Sequence, residues 1–111
     1  MGMPNPSALA EAMSRLWAQF LPQIEERVST LESAAAALAE GSLTRAQCEQ
    51  ASSAAHNLAG VLGTFGLDRG TELAREAELL YSSGPSTSPM LNGHPAALAS
   101  QLRGIVAARR R

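Results

Sequence analysis

Apolar residues recur along most of this chain at spacings of three and four, the period of a helix face and not of a strand. Leu9, Met13, Leu16 and Trp17 form one such side, and Asn5 followed by Pro6 supplies a cap and a favoured first helical residue. Pro22 then allows a kink or a fresh start, after which Leu21, Ile24, Val28, Leu31, Ala35 and Leu38 keep the spacing down to a stop at Gly41. Thr44-Arg45-Ala46-Gln47 reads as a capping box and opens a third helix with Cys48, Ala51, Ala55, Leu58, Leu62 and Phe65 on its core stripe. Asp68 is placed to cap a fourth helix that carries Leu73, Ala77 and Leu80 inward, and a last helix starts near Pro95 with Leu98, Leu102, Ile105 and Val106. The predicted helices cover about 6–20, 22–40, 44–65, 68–82 and 95–108. The Ser-, Gly- and Pro-rich stretch 83–93 is expected to be a flexible loop.

Short connections make successive helices antiparallel. The expected fold is therefore all-α: an up-down antiparallel four-helix bundle with an additional N-terminal helix laid over one end, in a single domain spanning 1–111. Composition narrows the core. Hydrophobic residues make up 45% of the chain but include only one Trp, one Tyr and two Phe, so the interior must be Leu and Ala, which suits closely packed helices.

Charge and cysteine usage exclude several functions. With ten acidic residues against nine basic and a net charge of −1, the chain has no general attraction for phosphate backbones or anionic lipid, so nucleic acid and membrane are not expected partners. No run of about 18 apolar residues is available to span a bilayer, and the start of the chain lacks the features of a leader. Cys48 is the single cysteine; it falls on a core stripe and reads as a packed side chain, not a redox switch. Two histidines without an i,i+4 pair argue against a metal site, and no cofactor is expected. His94, just before Pro95, reads as a helix-start residue, and Arg109-Arg110-Arg111 as a solvated end. A cytoplasmic, monomeric protein is the expectation.

The candidate chemistry is at His56. On a helix, its neighbours three and four residues away are Ser52, Ser53, Ala59 and Gly60, with Gly63 one turn further. None is larger than Ser. Two internal glycines each cost a helix roughly 0.5–1 kcal/mol relative to Ala, so they indicate something other than helix stability. An imidazole in so bare a collar, beside the core stripe and not on it, is open to a partner's surface and to a phosphoryl group. Neutral imidazole is a nucleophile near neutral pH when its second nitrogen carries the proton. A carboxylate accepting that proton orients the ring. If the third and fourth helices turn around Leu67, Glu78 lies level with His56 and Arg75 level with Ala59. On residues alone, Glu78 can also be a solvated helix residue, and Arg75 can pair with Glu72, Glu76 and Glu78 on its own helix.

The run Ala55-His56-Asn57-Leu58-Ala59-Gly60-Val61-Leu62-Gly63-Thr64-Phe65-Gly66 resembles the histidine phosphotransfer (HPt) domain of bacterial phosphorelays. That family has a His, often a Lys three on, a Gly four on and a helix-ending Gly ten on; here the positions read His56, Ala59, Gly60 and Gly66. Gly63-Thr64-Phe65-Gly66 and Leu73-Ala74-Arg75-Glu76-Ala77-Glu78 look like the modules of chemotaxis kinases and multi-domain response regulators. The resemblance is close over about 55–80 and diffuse over 7–54. It implies a phosphocarrier, not an autonomous enzyme, with His56 taking a phosphoryl group to or from a receiver-domain aspartate. The implied partners are a response-regulator receiver domain, a sensor histidine kinase, or both. It further implies that Glu78 is the helical carboxylate such domains carry twenty-two residues after the His, and that the Mg²⁺ of transfer belongs to the receiver. Ala59 departs from the family's lysine. That departure supports the alternative of a degenerate fold that docks a receiver or kinase without chemistry.

Overall fold

The computed structural model describes residues 6–82 and 94–109. The expected cap at Asn5, the expected loop 83–93, and Arg110 and Arg111 lie outside the described residues. Those described form four helices, α1 (Pro6–Ala39), α2 (Arg45–Thr64), α3 (Asp68–Ser82) and α4 (His94–Arg109). Helix α1 packs on α2 and α4, α2 on α3, and α3 on α4.

One expected break does not occur. Helix α1 runs unbroken for 34 residues with Pro22 inside it, so the helices expected at 6–20 and 22–40 are one rod of about 51 Å at 1.5 Å per residue. An internal proline ordinarily costs about 3 kcal/mol, because it withholds an N–H from the carbonyl four residues back and crowds it. Here both Pro22 and Ala18 are exposed, so water can reach that carbonyl. Trp17 on one side of the proline and Ile24 and Val28 on the other are all buried, which holds the helix in line. The N-terminal segment therefore continues past the bundle instead of folding over its end. Of its expected apolar side only Trp17 is buried. Its ring meets Phe65 edge-on at 5.1 Å and carries the Arg109 guanidinium 5.3 Å from its centroid. Arg109 is thus a packed residue and not part of a solvated end. Since Phe65 and Arg109 close α2 and α4, the residues before Trp17 extend beyond both.

The helix ends follow the local chemistry. After α1, Gly41 takes φ +73°, and the Ser42 and Gly41 amides donate to Ala37 and Leu38. After α2, Gly66 takes φ +72°, and the Leu67 and Gly66 amides donate to Leu62 and Gly63. Both are left-handed glycine terminations that satisfy otherwise orphaned carbonyls. The capping box is closed at the start of α2: the Gln47 amide donates to Thr44 Oγ1 at 3.1 Å, and the Thr44 amide donates to Gln47 Oε1 at 2.8 Å. Asp68 is not a cap. The Thr71 amide donates to the Leu67 carbonyl, which makes Asp68 the first residue inside α3, where its carboxylate suits the positive end of the helix dipole.

The core is Leu and Ala with Trp17, Ile24, Val28, Tyr81 and Val106. Cys48, Ala51, Ala55, Leu58 and Leu62 are buried and Phe65 is partly buried. On α3 the inward positions are Gly70, Leu73, Ala74, Ala77 and Tyr81, while Leu80 is only partly buried. A Cβ on Gly70 would stand 2.9 Å from Leu62 Cδ1, so the missing side chain is what lets α3 approach α2 there. Across α1 and α4, Arg103 forks onto Glu32, with Nε donating to Oε2 at 3.1 Å and Nη2 to Oε1 at 2.6 Å. Its Nη2 also donates to Ser29 Oγ.

Candidate functional site

His56 stands on α2 with most of its ring exposed, and its Nδ1 lies 3.0 Å from Oε2 of Glu78 on α3. Antiparallel α2 and α3 turn tightly at Gly66, which sets the two residues level. A carboxylate can only accept, so the proton of the bond sits on Nδ1, and Nε2 of the neutral ring keeps its lone pair. Among the described residues Nε2 has no hydrogen-bond partner. The Glu78 side chain is about two-thirds covered.

Two open concavities flank the ring. One, of about 460 Å³, joins His56 and Glu78 to Ala59, Gly60, Arg75 and Leu79. The other, of about 440 Å³, runs along the α2–α3 seam past Ser52, Ser53, Arg45 and Tyr81. Arg75 thus shares a hollow with His56, and its guanidinium makes no ion pair with the described residues, so pairing along its own helix does not occupy it. Gly60 fronts open space: nothing lies within 4 Å of a Cβ built there. Gly63 is not part of this hollow. A Cβ at that position would stand in ordinary contact with Thr71 Oγ1, at 3.5 Å. Ala59 differs from its expected place in an open collar, being 8% exposed and part of the core; only its edge borders the hollow, and its carbonyl accepts from Thr71 Oγ1 at 3.4 Å.

Sequence reasoning missed Leu79 and Tyr81. Leu79 is the largest exposed apolar side chain beside the histidine, at 72%. Its position off the inward stripe of α3 was the available signal. Tyr81 is buried behind the seam, its hydroxyl without a hydrogen-bond partner among the described residues, and burial pushes its pKa up to about 12, with a smaller push from Cys48. It is a neutral wall at working pH. Burial also raises the Cys48 thiol, which keeps it protonated and inert. Among the described residues no three His, Cys, Asp or Glu side chains gather as metal ligands would. No helix among them is long and apolar enough to cross a membrane.

The family model described as the Hpt domain matches residues 15–110, which includes the histidine, its carboxylate partner and both flanking hollows. The chain belongs to the Hpt family. No curated protein and no solved structure gives a significant match. As an Hpt domain the protein has a histidine phosphotransfer role in two-component signalling, and Hpt domains are phosphocarrier modules that work with receiver domains and kinases.

Proposed function

We propose that His56 is the phosphoacceptor of a phosphorelay intermediate, receiving from and delivering to the aspartate of a receiver domain. The observation that carries this reading is the exposed ring tied by Nδ1 to Glu78 with Nε2 left open. In the forward step the Nε2 lone pair attacks the phosphorus of an aspartyl phosphate. The N–P bond forms as the P–O bond breaks, and the electron pair leaves with the aspartate carboxylate. The ring gains positive character in that step, and the Glu78 carboxylate on Nδ1–H stabilises it. Arg75 supplies positive charge in the same hollow, in place of the lysine that Ala59 replaces. Transfer of this kind is mostly positioning and charge neutralisation, and the receiver brings the remainder of both.

Incubation with a phosphorylated receiver tests the reading. It expects an acid-labile, base-stable label on the wild type and none on His56→Ala, with the helicity of that variant unchanged because the side chain is exposed. Stable binding of a receiver without any label would assign the protein to docking without chemistry.

A further inference from the structure

The part of α1 that outruns the bundle carries an apolar stripe that the phosphotransfer reading does not use. Leu9, Met13, Leu16 and Phe20 follow one another at spacings of four, three and four, the seam of a helix pair. Leu9 is 57% exposed, Leu16 42% and Phe20 40%. At 100° per residue this stripe is turned about 70° from Trp17, Ile24 and Val28, which face the bundle. Contiguous exposed side chains of this size mark an interaction surface.

Charge selects the occupant. Between residues 6 and 20 the only charged side chains are Glu11 and Arg15, which pair with each other at 3.7 Å on the side of the helix away from the stripe. The positions flanking the stripe are Ala10, Ala12 and Gln19. Such a face offers nothing to a strongly charged partner, and it lacks the Lys and Arg rim with which a surface helix binds anionic lipid. It presents no repulsion to an identical face.

We infer that the stripe pairs with the same stripe of a second copy, antiparallel, about a two-fold axis between residues 14 and 15. Met13 of each copy then packs on Leu16 of the other. Leu9 of each reaches Phe20 of the other, which already meets Phe65 edge-on at 6.4 Å, so the seam gains an aromatic end at both extremities. The antiparallel pair sends the two bundles to opposite ends of the seam, where neither body, 22 by 21 Å in cross-section, has to pack beside the other. The contact is isologous and closes on itself. A seam of four residues a side is small against the roughly 1,200 Å² at which specific interfaces become stable, so the dimer is a weak one. It departs from the monomer expected from sequence.

Sedimentation equilibrium of the full chain from low micromolar to about 500 µM tests the inference over the range where such a seam associates. The expected result is a mass rising from one chain to two, and a Leu9→Glu/Leu16→Glu variant that stays monomeric with unchanged helicity and unchanged labelling at His56. In a Cys48→Ala background, Leu9→Cys mixed with Phe20→Cys should cross-link efficiently under mild oxidation, and Leu9→Cys alone should not. A monomer at every concentration overturns the inference, as does a dimer that survives both glutamates. Preferential cross-linking of Leu9→Cys to itself overturns the antiparallel geometry. Because the labelling of His56 is read separately, failure here leaves the phosphotransfer reading untouched.

Discussion

Glu78 Oε2 and His56 Nδ1 lie 3.0 Å apart across the α2–α3 seam, with the histidine largely in solvent and the glutamate mostly covered. The more covered partner braces the more exposed one, and the bond selects the tautomer with Nε2 free.

Glu78→Gln retains the shape but replaces a charged acceptor with a neutral one. We expect the Nδ1–H tautomer to lose its dominance, read from imidazole ¹⁵N shifts, and phosphorylation to slow about tenfold, the equivalent of roughly 1.4 kcal/mol. The fold should be unaffected. An unchanged tautomer ratio with an unchanged rate would remove Glu78 from the mechanism.

Arg75→Ala should slow transfer several-fold and shorten the life of phosphohistidine without changing receiver binding at high salt. Ala59→Lys bears on the same charge, but the burial of Ala59 means the lysine stem must leave along the hollow past Arg75, at some cost in stability. If both cations serve one phosphoryl group, Ala59→Lys should help more in the Arg75→Ala background than in the wild type, a coupling that a double-mutant cycle measures. Equal effects in both backgrounds would make Arg75 a surface charge only.

Two glycines should respond oppositely to alanine. Gly60→Ala places a methyl in open space and should raise stability by about 0.5–1 kcal/mol through helix propensity, while slowing transfer because the methyl takes up the ground beside His56. Gly70→Ala drives its methyl to 2.9 Å from Leu62 Cδ1 in the core and should lose about 1–3 kcal/mol to overpacking, partly offset by the same propensity. Thermal melts of the two variants decide the matter, and two shifts of the same sign would contradict it.

The Glu32–Arg103 fork predicts a pH dependence. The Arg103 hydrogen bonds hold the Glu32 carboxyl below its ordinary 4.5, against a smaller opposing effect of burial. A depressed carboxyl stabilises the fold above its unfolded-state pKa, and that contribution fades as pH falls through the lower, folded value. Glu32→Gln should therefore lower Tm at pH 7 and converge with the wild type as pH falls below the folded-state value. Both side chains are more than a third exposed, which screens the pair and limits the loss to about 1 kcal/mol or less. A difference that is constant with pH would show that the variant perturbs packing and not charge.

Much of the site was legible because it depends on local rules. Thr44 and Gln47 close their box within one helical turn, and Gly41 and Gly66 end helices by a conformation that other residues resist. Once Gly66 ends α2 and α3 begins two residues later, the hairpin has little freedom, so counting back from the turn sets a carboxylate level with the imidazole, and the family resemblance favours their pairing over a solvated Glu78. Ala59 was misjudged because sequence neighbours report size and not depth. An alanine beside an exposed histidine can still point into a core.

The sequence by itself determined the helical class, the capped and glycine-ended segments, the leucine–alanine core and the nearness of His56 and Glu78, since each follows from period, cap chemistry or a short turn. Only the tertiary structure decided what distant groups do to one another. Packing of Trp17, Ile24 and Val28 carried α1 straight through Pro22 and left Leu9, Leu16 and Phe20 in solvent. The same assembly brought Arg103 to Glu32, seventy-one residues apart, and placed Gly70 against Leu62. Proline's cost is local, but whether a helix bears it depends on burial gained on both sides, and that gain exists only when the other three helices are in place.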